Sequence, residues 1–232
     1  MRIPENWTFK NDEIAANFDA HVNEQLPWYG MALDMTAHIA KSYLQDGGTL
    51  IDLGCSTGAV TRALESTIID RKINAISIDN SPEMISMFTG FGEVEIADMQ
   101  DVDRLPFFDV CVCFLAVMFT RPDSRAEFLF KIKNKCRPGG VVIIVDKLEQ
   151  AGGYMGTVIS RMAISNKLEA GVDADSILKK ELSLSGAQRP SDPALYSMSG
   201  FIEWLRVGDF VGVVYERSVY SKINYKDSGG LA

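Results

Sequence analysis

Residues 50–61 read LIDLGCSTGAVT: an apolar run reaches an acid, Asp52, and two glycines, Gly54 and Gly58, then bracket Cys55, Ser56 and Thr57. A second apolar run, ISIDN, ends on Asp79 with Asn80 beside it, and a third, EIADM, ends on Asp98 and Met99. Glycines at a strand-to-helix turn bare the backbone, so a ligand can come close to its N–H groups. Carboxylates at three successive strand ends draw cations and hydroxyl donors and repel phosphate. The spacing G-x-x-x-G differs from the G-x-G-x-x-G of dinucleotide sites, which also argues against a pyrophosphate ligand.

These residues need a scaffold that brings strand ends together, and the surrounding pattern predicts one. GGTLIDLG reads as a first strand and AVTRALEST as the helix after the loop. NAISID is a second strand, SPEMISMF a helix with a Ser-Pro start, and EVEIAD a third strand. FDVCVCFL is apolar on both faces, as a central parallel strand is. DSRAEFLFKIKNKC is a helix closed by RPGG, and VVIIVDK a fifth strand. Such alternation means an α/β fold with a doubly wound, mostly parallel sheet. Apolar spacing of three and four over residues 12–24 and 30–44 adds two helices ahead of it. The expected organisation is one domain: a helical cap over 1–46, a ligand-binding core over 47–150, a helical insert over 151–206 and C-terminal strands over 207–232. Within the last segment, FVGVVYERSVYSKINY reads as an antiparallel pair of strands.

Ligands of such sheets sit beyond the carboxyl ends of the strands. There Asp79 is placed to take two ribose hydroxyls, and Asp98 lies where an adenine edge would be. A nucleoside cofactor without phosphates, carrying a sulfonium and an ammonium, fits three acids. S-adenosylmethionine is that compound.

At this point the sequence resembles the class I S-adenosylmethionine-dependent methyltransferases, with their Rossmann-like sheet. Within them it is similar to the carboxy-S-adenosylmethionine synthases of the tRNA wobble-uridine pathway. NWTF at 6–9, LPWYG at 26–30, DLGCSTGA at 52–59, IDNSPEMI at 78–85 and RPGG at 137–140 carry the resemblance. In the 151–206 stretch, Gly156, Met162, Lys167, Gly171, Ile177 and Lys180 fall in register. The resemblance implies that Tyr29 touches the methionine part of the cofactor, that Gly54, Cys55 and Ser56 lend it backbone, that Asp79 and Asn80 hold the ribose and that Asp98 and Met99 hold the adenine. It also implies a homodimer formed through the insert, with Glu181 near the neighbouring subunit's site.

Two departures bear on the chemistry. An asparagine that contacts the cofactor in that family is Cys113 here, and a thiol is a poor hydrogen-bond partner. The arginine that reads the carboxylate of carboxy-S-adenosylmethionine is Glu181, next to Lys180. Repulsion in place of attraction there costs on the order of a few kcal/mol, roughly 100-fold or more in affinity. If the register slips by one, Lys180 takes the arginine's place. The sequence thus leaves three readings open: a methyltransferase with a small-molecule acceptor, the synthase reaction with prephenate, and a non-catalytic relative that binds the cofactor.

No catalytic residue is assignable. His21 and His38 are the two histidines, both in the N-terminal helices and read as core or surface residues. The four cysteines, Cys55, Cys111, Cys113 and Cys136, lack metal-type pairing and are expected as buried or site-lining thiols. A net charge of −8, from 31 acidic and 23 basic side chains, disfavours direct nucleic-acid binding. MRIPENWTFKNDE lacks the apolar core of a signal peptide, and no run of about 18 apolar residues occurs, so a cytoplasmic protein away from membranes is expected.

Overall fold

The computed structural model describes residues 4–150 and 152–219. Two helices come first, α1 (Asp12–Gln25) and α2 (Tyr29–Tyr43). Asn11 caps α1, accepting the Ile14 N–H at 3.1 Å, and Asp12 and Glu13 occupy the first turn, where the helix dipole favours acids. Alternation then begins: β1 (Thr49–Leu53), α3 (Ala59–Ala63), α4 (Glu65–Asp70), β2 (Asn74–Asp79), α5 (Pro82–Ser86), β3 (Glu93–Ile96), β4 (Phe108–Phe114), α6 (Arg125–Lys135) and β5 (Cys136–Lys147). The chain continues through α7 (Gly153–Glu169), α8 (Ala174–Ser183) and α9 (Pro193–Met198) to β6 (Ile202–Val207) and β7 (Phe210–Glu216).

The seven strands lie in the order β3-β2-β1-β4-β5-β7-β6, parallel from β3 to β5, with β7 and β6 antiparallel. The fold is α/β with a doubly wound, mostly parallel sheet. Its order reverses between β1 and β4, so the loops leaving these two strands diverge and open a crevice. Each face of the sheet is buried under helices. Cys111, Cys113, Val142 and Ile144 pack with Phe128, Leu129 and Ile132 of α6. Their neighbours Val110, Val112, Val141 and Ile143 point the other way, towards Ala32, Ala37 and Ala40 of α2. All four cysteines are free and buried.

Beneath the crevice, Asp146 near the end of β5 is fully buried and fully engaged. It accepts the Met118 N–H at 2.9 Å, the Ser191 hydroxyl at 2.5 Å and the Tyr196 hydroxyl at 2.6 Å. The Arg125 guanidinium braces the same knot through Ser191 at 3.0 Å. This network fixes the backbone after β4 that floors the crevice.

The structure differs from expectation at two places. Arg137, Pro138, Gly139 and Gly140 lie in the first part of β5, with Gly139 at a positive φ of 82°, rather than closing the preceding helix. The last two described strands begin at Ile202, inside the stretch expected to be helical, and turn at Gly208 and Asp209. FIEWLRV is rich in aromatic and β-branched residues, which suit a strand, and the Gly-Asp pair supplies a two-residue hairpin turn, with Gly208 at φ 60°. Of the expected second strand, SVYSKINY, residues 220–225 lie outside the described residues.

Candidate active site at the carboxyl ends of the strands

The loop after β1 is built on Gly54. Its φ is 73°, and a Cβ there would stand 2.4 Å from the Cβ of Ala116 beyond β4, so only glycine lets the loop close against that floor. The N–H groups of Gly54 and Cys55 donate to Ile78 O at 2.8 and 3.0 Å, tying the loop to β2. Ser56 takes a positive φ of 51° and donates its N–H to Asp79 Oδ2 at 2.9 Å. Ser81 donates its N–H to the other oxygen at 2.9 Å and also caps α5. Asp79 therefore has a structural task as well, and each oxygen retains a lone pair for a ligand. Burial pushes its carboxyl up, while these N–H groups pull it back.

Asp52, at the end of β1, is 1% exposed, and neither of its oxygens has a hydrogen-bond partner in the protein. Burial, then the charge of Asp79, pushes it up to about 8. A buried carboxylate without partners is costly, and a cationic ligand removes the cost. Asp98 is exposed at the rim, its Oδ1 accepting the Gln100 N–H at 2.9 Å, with Met99 buried beneath.

A lid covers these strand ends. Asp19 of α1 accepts from Thr57 Oγ1 at 2.6 Å and from Arg62 at 2.7 Å, locking the helix to the glycine loop. Tyr29 starts α2, buried edge-on against Phe114 at 5.3 Å, and burial pushes its hydroxyl well up. Ser81 Oγ donates to Phe9 O at 2.8 Å, and the Trp7 N–H donates to Ser183 O of α8 at 2.8 Å, drawing the N-terminal segment across. The result is a cavity of about 440 Å3. Asp52, Asp79 and Asp98 form one side. Trp7, Phe9, Phe18, His21 and Phe119 line the other, with Lys147, Lys167, Lys180 and Glu181.

Tyr29, Asp52, Gly54, Cys55, Ser56, Asp79, Asn80, Asp98, Met99, Lys180 and Glu181 all line this one cavity. Two expected site residues do not. Gly58 packs against Gly90, whose N would be 2.7 Å from an added Cβ, and serves the turn at φ 89°. Cys113 is wholly buried with Cys111 on the α6 face, and the chain meets the cavity one residue later, at Phe114, Leu115 and Ala116. Leu115, in the left-handed region at φ 57°, is a strained site residue that sequence spacing did not mark. His21 lines the cavity, while His38 is exposed.

Glu181 also departs from expectation. It lines the cavity of its own chain, and Lys167 of α7 holds it at 2.8 Å. Burial raises its carboxyl, but Lys167, Lys147 and Lys180 outweigh that and keep it low. Its charge is matched, so the free repulsion argued from sequence is absent.

The family model described as "Methyltransferase domain" matches residues 51–144, from β1 through most of β5. Among curated proteins, the chain is 24% identical over 222 residues to a carboxy-S-adenosyl-L-methionine synthase of Staphylococcus epidermidis, covering 91% of this chain and 97% of that one. It is 29% identical over 190 residues to the same-named protein of Wolinella succinogenes, covering 78% and 79%. Among solved structures, the plantazolicin methyltransferase BpumL in complex with SAH shares the fold at TM-score 0.58 and 12% identity, over 88% of this chain and 89% of that chain. Human N-acetylserotonin methyltransferase in complex with SAM does so at TM-score 0.54 and 14% identity, over 90% and 57%. No helix among the described residues is long and apolar enough to cross a membrane. Residues 51–144 thus match a methyltransferase domain, and over most of its length the chain is similar to proteins named carboxy-S-adenosyl-L-methionine synthase, on a fold shared with solved methyltransferases.

Proposed function

We propose that the protein methylates a small-molecule acceptor, with the cofactor lying along Asp52, Asp79 and Asp98 and the acceptor beneath α1 and α8. The observation that carries this reading is one cavity of about 440 Å3 holding both the three carboxylates and an aromatic, lysine-bearing wall. That volume is within the range of small-ligand pockets, roughly 300–1,000 Å3. Asp79 and Asn80 would hold the ribose, and Asp98 with Met99 the adenine. Asp52 and Tyr29 would hold the methionine end, with Gly54, Cys55 and Ser56 offering backbone carbonyls rather than the expected N–H groups, which are donated to Ile78 and Asp79. The unpartnered oxygens of Asp52 fit an ammonium group, so the residues present suit the cofactor. When bound, S-adenosylmethionine supplies a methyl group made electrophilic by its sulfonium.

The chain's own contribution is position and dryness. The lid residues Phe9, Phe119 and Leu184 keep water from the space between the two ligands, and the fixed walls hold them in line. The matched domain and the lid together support a division into a cap over 1–46, a cofactor core over 47–150 and an acceptor-facing segment over 151–206. The net charge of −8 supports a partner other than nucleic acid. Tyr154, Met155, Val158 and Met162, exposed on α7, support a homodimer.

A second reading, carboxy-S-adenosylmethionine synthase, is favoured by the pairing of Glu181 with Lys167, which leaves the wall able to receive a carboxylate. One experiment separates the two. The chain is incubated with S-adenosylmethionine and a bacterial small-molecule extract, and the cofactor product is identified by mass spectrometry. Demethylated cofactor is the expected product. Carboxylated cofactor supports the second reading, and unchanged cofactor contradicts both.

A further inference from the structure

The wall facing the three carboxylates holds polar atoms that nothing in the protein satisfies. Trp7 Nε1 and His21 Nε2 are buried in the cavity lining without hydrogen-bond partners. Such atoms are rare in folded proteins, and here they are neighbours: the two rings stack with centroids 5.8 Å apart. Lys180 lies against the same indole, its ammonium nitrogen over the ring of Trp7. It is 9% exposed, and no carboxylate lies within 4 Å of it among the described residues. Glu181, the next residue, is turned to Lys167 instead.

The chemistry of these three groups is one-sided. An indole N–H and an ammonium can only donate, and an imidazole can donate from Nε2. A ligand that satisfies them brings acceptor atoms, and a protonated Lys180 favours an anionic acceptor over a neutral one. The charge balance limits which anion. Lys167 is matched by Glu181 at 2.8 Å and Lys147 by Asp209 at 3.7 Å, leaving Lys180 as the one lysine of this wall without a carboxylate partner among the described residues. That suits one carboxylate better than a doubly charged phosphate. Around it the surface is aromatic, with Phe9 edge-on to Trp7 at 5.9 Å and to Phe119 at 4.8 Å.

We propose that Trp7, His21 and Lys180 form an acceptor subsite that recognises the carboxylate of an aromatic acid. This rests on the transferase reading and names the class of acceptor within it. The charge states support the geometry. Burial, then Lys167, brings Lys180 down to about 6, while Glu181 opposes this. Burial, then Lys180, brings His21 down to about 4. With Lys147 on β5 and Lys167 on α7 also facing the wall, the free subsite is unprotonated at neutral pH, and an arriving carboxylate brings a proton onto Lys180. Affinity for the acid therefore falls as pH rises from 7 to 8, by up to about tenfold.

The test uses the full chain, saturated with S-adenosylhomocysteine, titrated calorimetrically with 4-hydroxyphenylacetate and with its neutral amide. Titrations in two buffers of different ionisation enthalpy count the protons. The acid is expected to bind at least about tenfold tighter than the amide, with uptake of about one proton at pH 7.5. Lys180→Met and Trp7→Phe should each weaken the acid about tenfold and leave S-adenosylhomocysteine binding unchanged, and Lys180→Met should abolish the uptake. The proton count in the unaltered chain needs no variant, so a poorly folding variant does not remove the test. Equal binding of acid and amide, an unaffected Lys180→Met, or no binding of 4-hydroxyphenylacetate, phenylacetate or benzoate up to about 10 mM overturns the subsite. A repeat without S-adenosylhomocysteine keeps the two claims apart. A chain that takes the acid but never the cofactor upholds the subsite and overturns the cofactor reading.

Discussion

Asp79→Ala is expected to weaken S-adenosylmethionine binding by at least about 100-fold in a calorimetric titration. Hydrogen bonds to a charged acceptor contribute about 1.5–3 kcal/mol each, and two ribose hydroxyls would use the two remaining lone pairs. Together they come to about 3–6 kcal/mol, and each 1.4 kcal/mol is about tenfold. The variant also strips the Ser56 and Ser81 N–H groups of their acceptor. The glycine loop then loses its tie to the end of β2, and the urea midpoint should fall by the equivalent of about 1–3 kcal/mol. Asp79→Asn separates the effects. It keeps one oxygen for one N–H but turns an NH2 towards the other, so most of the cofactor loss should persist. An Asp79→Ala chain that binds the cofactor normally would show that the ribose lies elsewhere.

The second large effect is on pH dependence, and it comes from Asp52. Burial and the neighbouring Asp79 hold its folded carboxyl at about 8, against 3.8 for the free group. Below about 8 the cofactor-free protein therefore carries a proton on Asp52, and a cationic ammonium expels it. Cofactor affinity should rise with pH from 6 to 8, by up to about tenfold per unit, and level off above. Asp52→Asn should remove the slope. The same shift acts on stability with the opposite sense. Between 3.8 and about 8 the folded state keeps a proton that the unfolded chain has released, so the Asp52 contribution to the cofactor-free fold weakens as pH rises through that window. The two ends of the cavity thus respond oppositely: the Asp52 end releases a proton on binding, and the Lys180 wall takes one up.

The cofactor side of this site was legible because its signals are local. An acid closing an apolar run marks a strand end, and a doubly wound sheet brings successive strand ends to one edge, so Asp52, Asp79 and Asp98 had to converge. Cys113 failed for an equally local reason. Side chains alternate along β4, and Cys113 has the parity of Cys111, on the α6 face. The acceptor side was not legible because docking assembles it. Trp7 reaches the cavity through its backbone bond to Ser183, and His21 faces inward only because α1 is tied to the glycine loop through Asp19. The meaning of Glu181 changed for the same reason: its partner, Lys167, stands on a different helix. The hairpin of β6 and β7 did carry a signal, the Gly208-Asp209 pair between two runs rich in aromatic and β-branched residues, which the neighbouring helical pattern obscured.

The central claim is that one cavity holds the cofactor along three strand-end carboxylates and presents an acceptor to it from the opposite wall. A crystal structure of the chain grown with S-adenosylhomocysteine tests it most directly. The ribose hydroxyls are expected on Asp79, the adenine beside Asp98 and Met99, the ammonium on Asp52, and open space bounded by Trp7, His21 and Lys180 next to the sulfur. A ligand bound away from the ends of β1 and β2, or one whose amino-acid end fills the space beside Lys180, would contradict it.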